Sequence, residues 1–333
     1  MARDLSKFLE EVRFTASPED AHLRLDHFLV DKIFWRSRRD LQERIRKGRV
    51  LLRGARSKPS ARLRPGDEIL VLVSPSDLPD QDPRSIDIFP VLENDQIIVV
   101  NKQPGVLVHP TGRHVYDTLM NALHLRCKEQ GLQEEIHVVH RLDRNTSGIL
   151  VFAKNQEAKK KLQHHFESAH PRKEYLAVVE GIVASESGTV AEPIGPDDKA
   201  EIRLKMCVRP DGLPSLTHWR VEKVFAKHTL LRVRIETGRQ HQIRVHLSHL
   251  GHPVLCDPLY GDPRSVGLPG EEPILERQAL HAELLEMELP GIAGVTLCRA
   301  PLPRDMEKVL AVLKAGETLL PGRDVQSARW RRA

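Results

Sequence analysis

The sequence predicts an α+β protein: a large domain on a mixed, largely antiparallel sheet with flanking helices, preceded by a small α/β module. Three observations carry this. Short β-branched and aromatic runs recur at 96–100, 137–139, 149–152, 173–183 and 217–236, bounded by turn residues. Helical periodicity appears between and after them, at 156–170 and 237–250. The stretch 74–90, SPSDLPDQDPRSIDIFP, is rich in Pro, Asp and Ser with little to bury, and reads as a linker between two domains.

A chain of 333 residues has room for two unequal domains. No apolar run approaches the ~18 residues needed to span a bilayer. The N-terminus, MARDLSKFLEEVRF, lacks the apolar core of a signal peptide, so a cytoplasmic protein without membrane contact is expected. Cys127, Cys207, Cys256 and Cys298 stand alone, without the paired spacing of a zinc site or disulfide framework. The net charge of +5 is modest, but its distribution is uneven.

Residues 1–21 read as a polar lead-in. From 22 to 73 two helices and short strands can be parsed, with Ser37 as N-cap of the second helix and Gly48 as its stop. Leu41 and Ile45 share one face, which leaves Arg38, Arg39, Arg46, Lys47 and Arg49 outward. Between Arg36 and Lys58 ten Lys or Arg face two acids, Asp40 and Glu43. A solvated helix face is the plain alternative, but so one-sided a run suits a phosphate backbone. The segments LRLDHFL, SRRDLQERIRKGRVLLRG and RPGDEILV resemble the alpha-L RNA-binding motif of ribosomal proteins and several RNA-modifying enzymes. Arg53 departs from it, standing where the motif commonly has Asn.

The second domain opens with the strand at 96–100 and a Gln103-Pro104-Gly105 turn flanked by Lys102 and His109, either of which, taken alone, reads first as an ordinary surface residue. The strands at 137–139 and 149–152 enclose the polar loop 141–148, which displays one carboxylate, Asp143. Rigid strands carrying a polar loop suit catalysis, although Asp, Arg, Asn and Ser are also ordinary turn formers. Asn155 caps the next helix, whose apolar stripe is Ala158, Leu162 and Phe166. Tyr175 sits in the strand that follows, and residues 217–236 form a hairpin turning at Ala226-Lys227-His228. Thr237 and Gly238 start a helix in which Arg239, Gln242 and His246 share a side beside the apolar stripe Ile243, Leu247 and Leu250. A cleft-lining helix and an amphipathic surface helix both fit that pattern. Strand material, a terminal helix and a basic tail complete the chain.

There is no Gly-rich phosphate loop with Lys and Ser/Thr, no GxGxxG, no GxSxG and no HExxH. His241 and His246 are five apart, the wrong helical spacing for two ligands, and no metal site is expected. What remains is one displayed carboxylate, arginines able to hold it ionised, and a basic module.

The segment HRLDRNTSGILVFAK, at 140–154, resembles the signature of the RluA-type pseudouridine synthases. NKQPGVLVHP, KEYLAVVEG, ETGRQHQIRVHL, CDPLYG, LHAELL and APLPRDM are similar to further segments of that family, so the likeness spans about residues 22–315. Gln103, Gln240, Cys256 and the MELPG segment depart from it. The resemblance implies isomerisation of uridine in structured RNA, ribosomal above all, with the C1′–N1 bond broken and C1′ rejoined to C5. It implies Asp143 as the catalytic anion, acting as nucleophile or base, Tyr175 stacking on the flipped base and Arg239 countering the burial of Asp143. Arg141, Lys102, His109 and Gln242 are the substrate contacts expected at the pocket, and Arg38, Arg39, Arg46 and Lys47 those on the RNA-binding module. No cofactor is needed, because the rearrangement is redox-neutral. The expectation is a monomer with a module at 22–73, a linker at 74–90, a catalytic domain at 91–318 and a basic tail at 319–333. The alternative is an inactive RNA-binding or ribosome-assembly protein.

Overall fold

The computed structural model describes residues 11–33, 38–72, 83–111, 114, 117–132, 135–168, 171–202 and 204–324. By contacts the chain divides into two units, 1–87 with 107–134, and 88–106 with 135–333.

The first unit holds β1 (Glu11–Thr15), α1 (Leu25–Lys32), α2 (Arg38–Arg46), β2 (Val50–Leu52), β3 (Ala55–Arg56), β4 (Glu68–Leu72) and α3 (Leu119–Glu129). Its four-stranded sheet has the order β1-β4-β2-β3. Leu41 and Ile45 are buried along α2, as their spacing requires. The expected lead-in at 1–21 contains a strand instead, since β1 pairs antiparallel with β4 from Glu11↔Leu72 to Thr15↔Glu68. Its alternation of Val12 inward and Arg13 outward is short enough to pass for loop. The N-cap expected at Ser37 lies outside the described residues. Arg53 adopts a left-handed conformation at φ 53°, where Asn costs less, and its guanidinium is anchored on the Asp67 carboxylate at 2.5 and 2.6 Å.

The second unit is built on a ten-stranded sheet. Its elements are β5 (Pro90–Glu93), β6 (Ile97–Lys102), β7 (His137–Val138), β8 (Ser147–Ala153), α4 (Gln156–Ser168), β9 (Arg172–Glu180), β10 (Ser187–Val190), β11 (Ile194–Pro196), β12 (Met206–Val208), β13 (Thr217–Val224), β14 (His228–Ile235), α5 (Gln242–His249), β15 (Arg264–Gly267), β16 (Leu280–Glu288), β17 (Val295–Arg299), α6 (Arg304–Lys314) and β18 (Leu320–Asp324). The order is β10-β13-β14-β9-β16-β8-β6-β5, with β17 added to β16 and β7 to β8. All these pairings are antiparallel except β16 with β8, so the sheet is mixed and largely antiparallel as expected.

Every residue of β8 is buried, which is why residues 149–153 are continuously apolar rather than alternating. Ala158 and Leu162 of α4 pack with Ile97, Val99, Ile149 and Val151 to form the core on one face of the sheet. Asn155 caps that helix, its Oδ1 accepting from Ala158 N at 2.8 Å. Gly148 opens β8 at φ 119°, and a Cβ there would stand 2.1 Å from Ala282 O, so only glycine lets β8 and β16 run side by side.

Two boundaries differ from expectation. Residues 107–134, placed by sequence in the catalytic domain, belong by contacts to the first unit. The basic tail begins later than 319, because β18 pairs with β15.

Candidate active site

The polar loop of residues 141–146 leaves β7 and enters β8. Thr146 N donates to Asp143 O at 3.1 Å, closing a tight turn around the carboxylate's own residue. Asp143 thereby stands in the wall of a cavity of about 690 Å³ shared with Tyr175 of β9 and with residues 235–244.

The Asp143 side chain is 18 % exposed. Arg244 Nη1 donates to its Oδ2 at 2.9 Å, and His241 Nε2 lies 3.9 Å from the same oxygen. Arg244 is itself fixed: Nε and Nη2 hold both oxygens of Asp257 at 2.6 and 2.8 Å, and its guanidinium lies 5.0 Å from the centre of the Tyr260 ring. The Tyr260 hydroxyl accepts from Met206 N at 2.8 Å and meets His241 Nδ1 at 2.8 Å. A buried arginine shared between two carboxylates therefore aims one nitrogen at Asp143.

Burial works against ionising Asp143, yet its carboxyl is held below the usual range by His241, Arg244 and Arg141. Burial also drives His241 down to about 4, leaving it neutral near pH 7, so at that pH Arg244 and Arg141 carry the compensation. Tyr175 is pushed upward by burial and by the Asp143 charge, so its hydroxyl keeps its proton. Lys173, two residues earlier on the same face of β9, also lines the cavity, and burial lowers it to about 8.

Several expected residues take other roles. Arg239 lines the cavity but does not pair with Asp143. The helix starts at Gln242, after a left-handed His241 at φ 56°, so Arg239 lies in the preceding loop with Nε donating to Pro214 O at 3.1 Å. Gln242 is spent within the protein: Oε1 accepts from Arg239 N and Thr237 Oγ1, and Nε2 donates to Leu216 O and Thr217 Oγ1. Lys102 is 1 % exposed, and Nζ donates to the carbonyls of Gln103, Val106 and Arg144 at 2.9 Å each. Burial first, then Arg277, lowers it to about 7, while three carbonyl acceptors fit the ammonium form. It braces the loop from behind and is not among the cavity-lining residues. His109 belongs to the first unit and is not among the cavity-lining residues. Arg141 is exposed on the cavity wall. His140 serves as scaffold, accepting from Val151 N at 3.0 Å and stacking on Phe166 with centroids 4.7 Å apart.

Sequence periodicity missed Arg244 because it treats an arginine beside an apolar stripe as surface. Residues 242–247 of α5 are buried on every side, so its polar residues point inward too.

In the first unit Arg39 and Arg46 are exposed on α2, and Lys47, exposed just after it, pairs with Glu43 four residues earlier at 2.6 Å. Arg38 is half committed elsewhere: its Nε and Nη2 donate to the buried Asp26 at 3.1 and 3.0 Å. The sequence pattern showed its face but not the carboxylate beneath it.

Residues 96–249 match the family described as RNA pseudouridylate synthase, and residues 23–69 match the S4 domain. The chain is 34 % identical to the uncharacterized RNA pseudouridine synthase YlyB of Bacillus subtilis (strain 168), over 92 % of this chain and 99 % of that one. It is 36 % identical to the ribosomal large subunit pseudouridine synthase D of Xanthomonas campestris pv. campestris, over 87 % and 89 %. Among solved structures it is similar to human RNA pseudouridylate synthase domain containing 1, with a TM-score of 0.50, 26 % identity, and coverage of 70 % of this chain and 96 % of that one. The two relatives match along nearly the whole length, and the chain belongs to the RluA-type family of RNA pseudouridine synthases.

Proposed function

We propose that this enzyme acts on uridines of ribosomal RNA and that Asp143 carries the reaction. The observation that supports the second part most directly is the Arg244–Asp143 pair at the cavity wall: a carboxylate kept anionic against burial, with part of its surface open. A uridine in structured RNA leaves its stack at a cost of a few kcal/mol and enters the cavity. Its base lies against Tyr175, stacking worth roughly 1–3 kcal/mol. Asp143 acts at the ribose while the C1′–N1 bond breaks; the base turns, C1′ bonds to C5, and the C5 hydrogen is replaced by one on N1. Arg141 and Arg239, on the cavity wall, meet the phosphates that flank the target. Arg39, Arg46 and Lys47 of the S4 domain dock the RNA further along.

The ribosomal substrate is supported by the name of the Xanthomonas relative, a large-subunit enzyme. No helix among the described residues is long and apolar enough to cross a membrane. A ribosomal RNA substrate, as the name of that relative suggests, supports a cytoplasmic location. The test is Asp143→Asn. Incubated with total RNA, it should bind but form no pseudouridine detectable by chemical labelling, and turnover at the wild-type rate refutes the assignment. Mapping pseudouridines in cells lacking the protein checks the substrate: a missing mark in transfer RNA alone sinks the ribosomal reading.

A further inference from the structure

Asp143 is only as well placed as the loop that carries it, and that loop is irregular backbone. The two carbonyls that follow Asp143 are each taken by a buried cation from a different part of the chain. Arg144 O accepts from Lys102 Nζ at 2.9 Å, and Asn145 O accepts from Arg277 Nη1 at 3.0 Å. Arg277 is 6 % exposed and stands three residues ahead of β16. Its Nη1 also reaches Gln278 O and Leu280 O, both at 3.2 Å, while Nε and Nη2 grip the Asp305 carboxylate at 2.7 and 2.9 Å. Asp305 is the second residue of α6. Alongside, Gln278 Nε2 donates to Thr146 Oγ1 at 3.3 Å, and His281 Nδ1 meets Ser147 Oγ at 2.9 Å. Residues 277–281 thus back the catalytic loop, and α6 backs residue 277.

An ion pair is not needed to hold α6 in place. Met306, Val309, Leu310 and Leu313 are buried along its face, and a well-packed apolar pair is often no less stable than a buried salt bridge. What neither an apolar side chain nor a lysine can do is reach three carbonyls and a carboxylate at once from one rigid five-donor plane.

We propose that Arg277, oriented by Asp305, is a positioning residue of the reaction, fixing the backbone at Asn145 and through it the approach of Asp143 to the ribose. Both residues lie beyond residues 96–249, where the family model matches, and Asp305 falls within APLPRDM, a segment similar to the family. The proposal rests on Asp143 being the reacting group.

The test compares full-length Arg277→Lys, Asp305→Asn and Leu313→Ala with wild type in thermal unfolding, RNA affinity and single-turnover pseudouridine formation. Arg277→Lys should bind RNA within about threefold of wild type but form pseudouridine roughly 10- to 100-fold more slowly. Asp305→Asn should shift the same way by a smaller factor. Leu313→Ala, which only hollows the packing of α6, should melt earlier and keep the wild-type single-turnover rate. A wild-type rate in folded Arg277→Lys overturns the proposal. So does equal slowing in Leu313→Ala and Asp305→Asn, a pair that decides the matter even if Arg277→Lys does not fold. Asp143→Asn, run alongside, separates the two claims. If it is fully active, the assignment of Asp143 falls and the positioning role with it; if it is inactive while Arg277→Lys is fully active, only the positioning role falls.

Discussion

The two units each contain a carboxylate set against arginines, and the two are finished differently. Asp26 is 0 % exposed and accepts from Arg24, Arg38 and Gln42 through both oxygens at 2.6–3.1 Å. Asp143, among the described residues, accepts one side-chain hydrogen bond, from Arg244, and keeps part of its surface open. For both, burial opposes ionisation and the surrounding partners win, so both are anions at neutral pH. The difference lies in saturation. Asp26 has used its acceptor capacity and can only hold α1 against α2, while Asp143 has capacity left for a ligand. Their cations differ in the opposite sense. Arg24 and Arg38 are partly exposed and replaceable by water, whereas Arg244 is buried and held at its far end by Asp257. At Asp26 the anion is fixed and its arginines are partly open; at Asp143 the arginine is fixed and the anion is partly open.

This contrast can be broken in four ways. The largest effect is expected from Arg244→Lys. A point charge cannot fork onto Asp257 and reach Asp143 together, so single-turnover rates should fall roughly 100-fold while the protein still binds RNA. Activity within twofold of wild type, roughly 0.4 kcal/mol, would mean that Asp143 does not depend on Arg244. Next comes Asp26→Asn, expected to cost the first unit about 2 kcal/mol, because the arginines it abandons are partly solvated. Denaturant titration reads this, and the isolated chemistry on a short RNA should be unchanged; slowed chemistry with intact stability would reverse the roles assigned to the two carboxylates.

Acid should separate the units in turn. His241 and His281 are held neutral in the folded state, both driven to about 4 by burial. The unfolded chain binds more protons than the folded one between their ordinary values near 6.5 and about 4, so the second unit loses stability as pH falls through that window. Asp26, depressed by its partners, contributes stability that is present above its ordinary value near 3.8 and lost only as pH falls below it. Hydrogen exchange from pH 7 to 4 should therefore show α5 and β16 opening before α1; the opposite order contradicts the assigned pKa directions. The smallest effect is expected from Arg39→Glu with Arg46→Glu, which should weaken RNA binding several-fold, roughly 1 kcal/mol, and flatten its salt dependence. An unchanged salt slope removes α2 from the RNA interface.

The residues alone determined a good part of this protein. Periods of 2 and 3.6 placed the hairpin of β13 and β14, the stripe of α4 and the basic face of α2, because each depends on neighbours a few positions away. The polar loop between two apolar strands displayed Asp143 for the same reason, while its part as the catalytic anion was implied by the resemblance of the HRLD segment to the synthase signature. Long-range partners were not legible. Arg244 lies 101 residues from Asp143, Arg277 lies 132 from Asn145, and Asp26 lies 12 from Arg38, and no periodicity encodes such distances. Sequence reasoning set Arg239 against Asp143 through the family resemblance, and counted Lys102, beside its turn, among the substrate contacts. Tertiary packing put Arg244 beside Asp143 by burying residues 242–247 of α5 and enclosed Lys102 in carbonyls, and a buried cation must take whatever acceptors the fold brings to it.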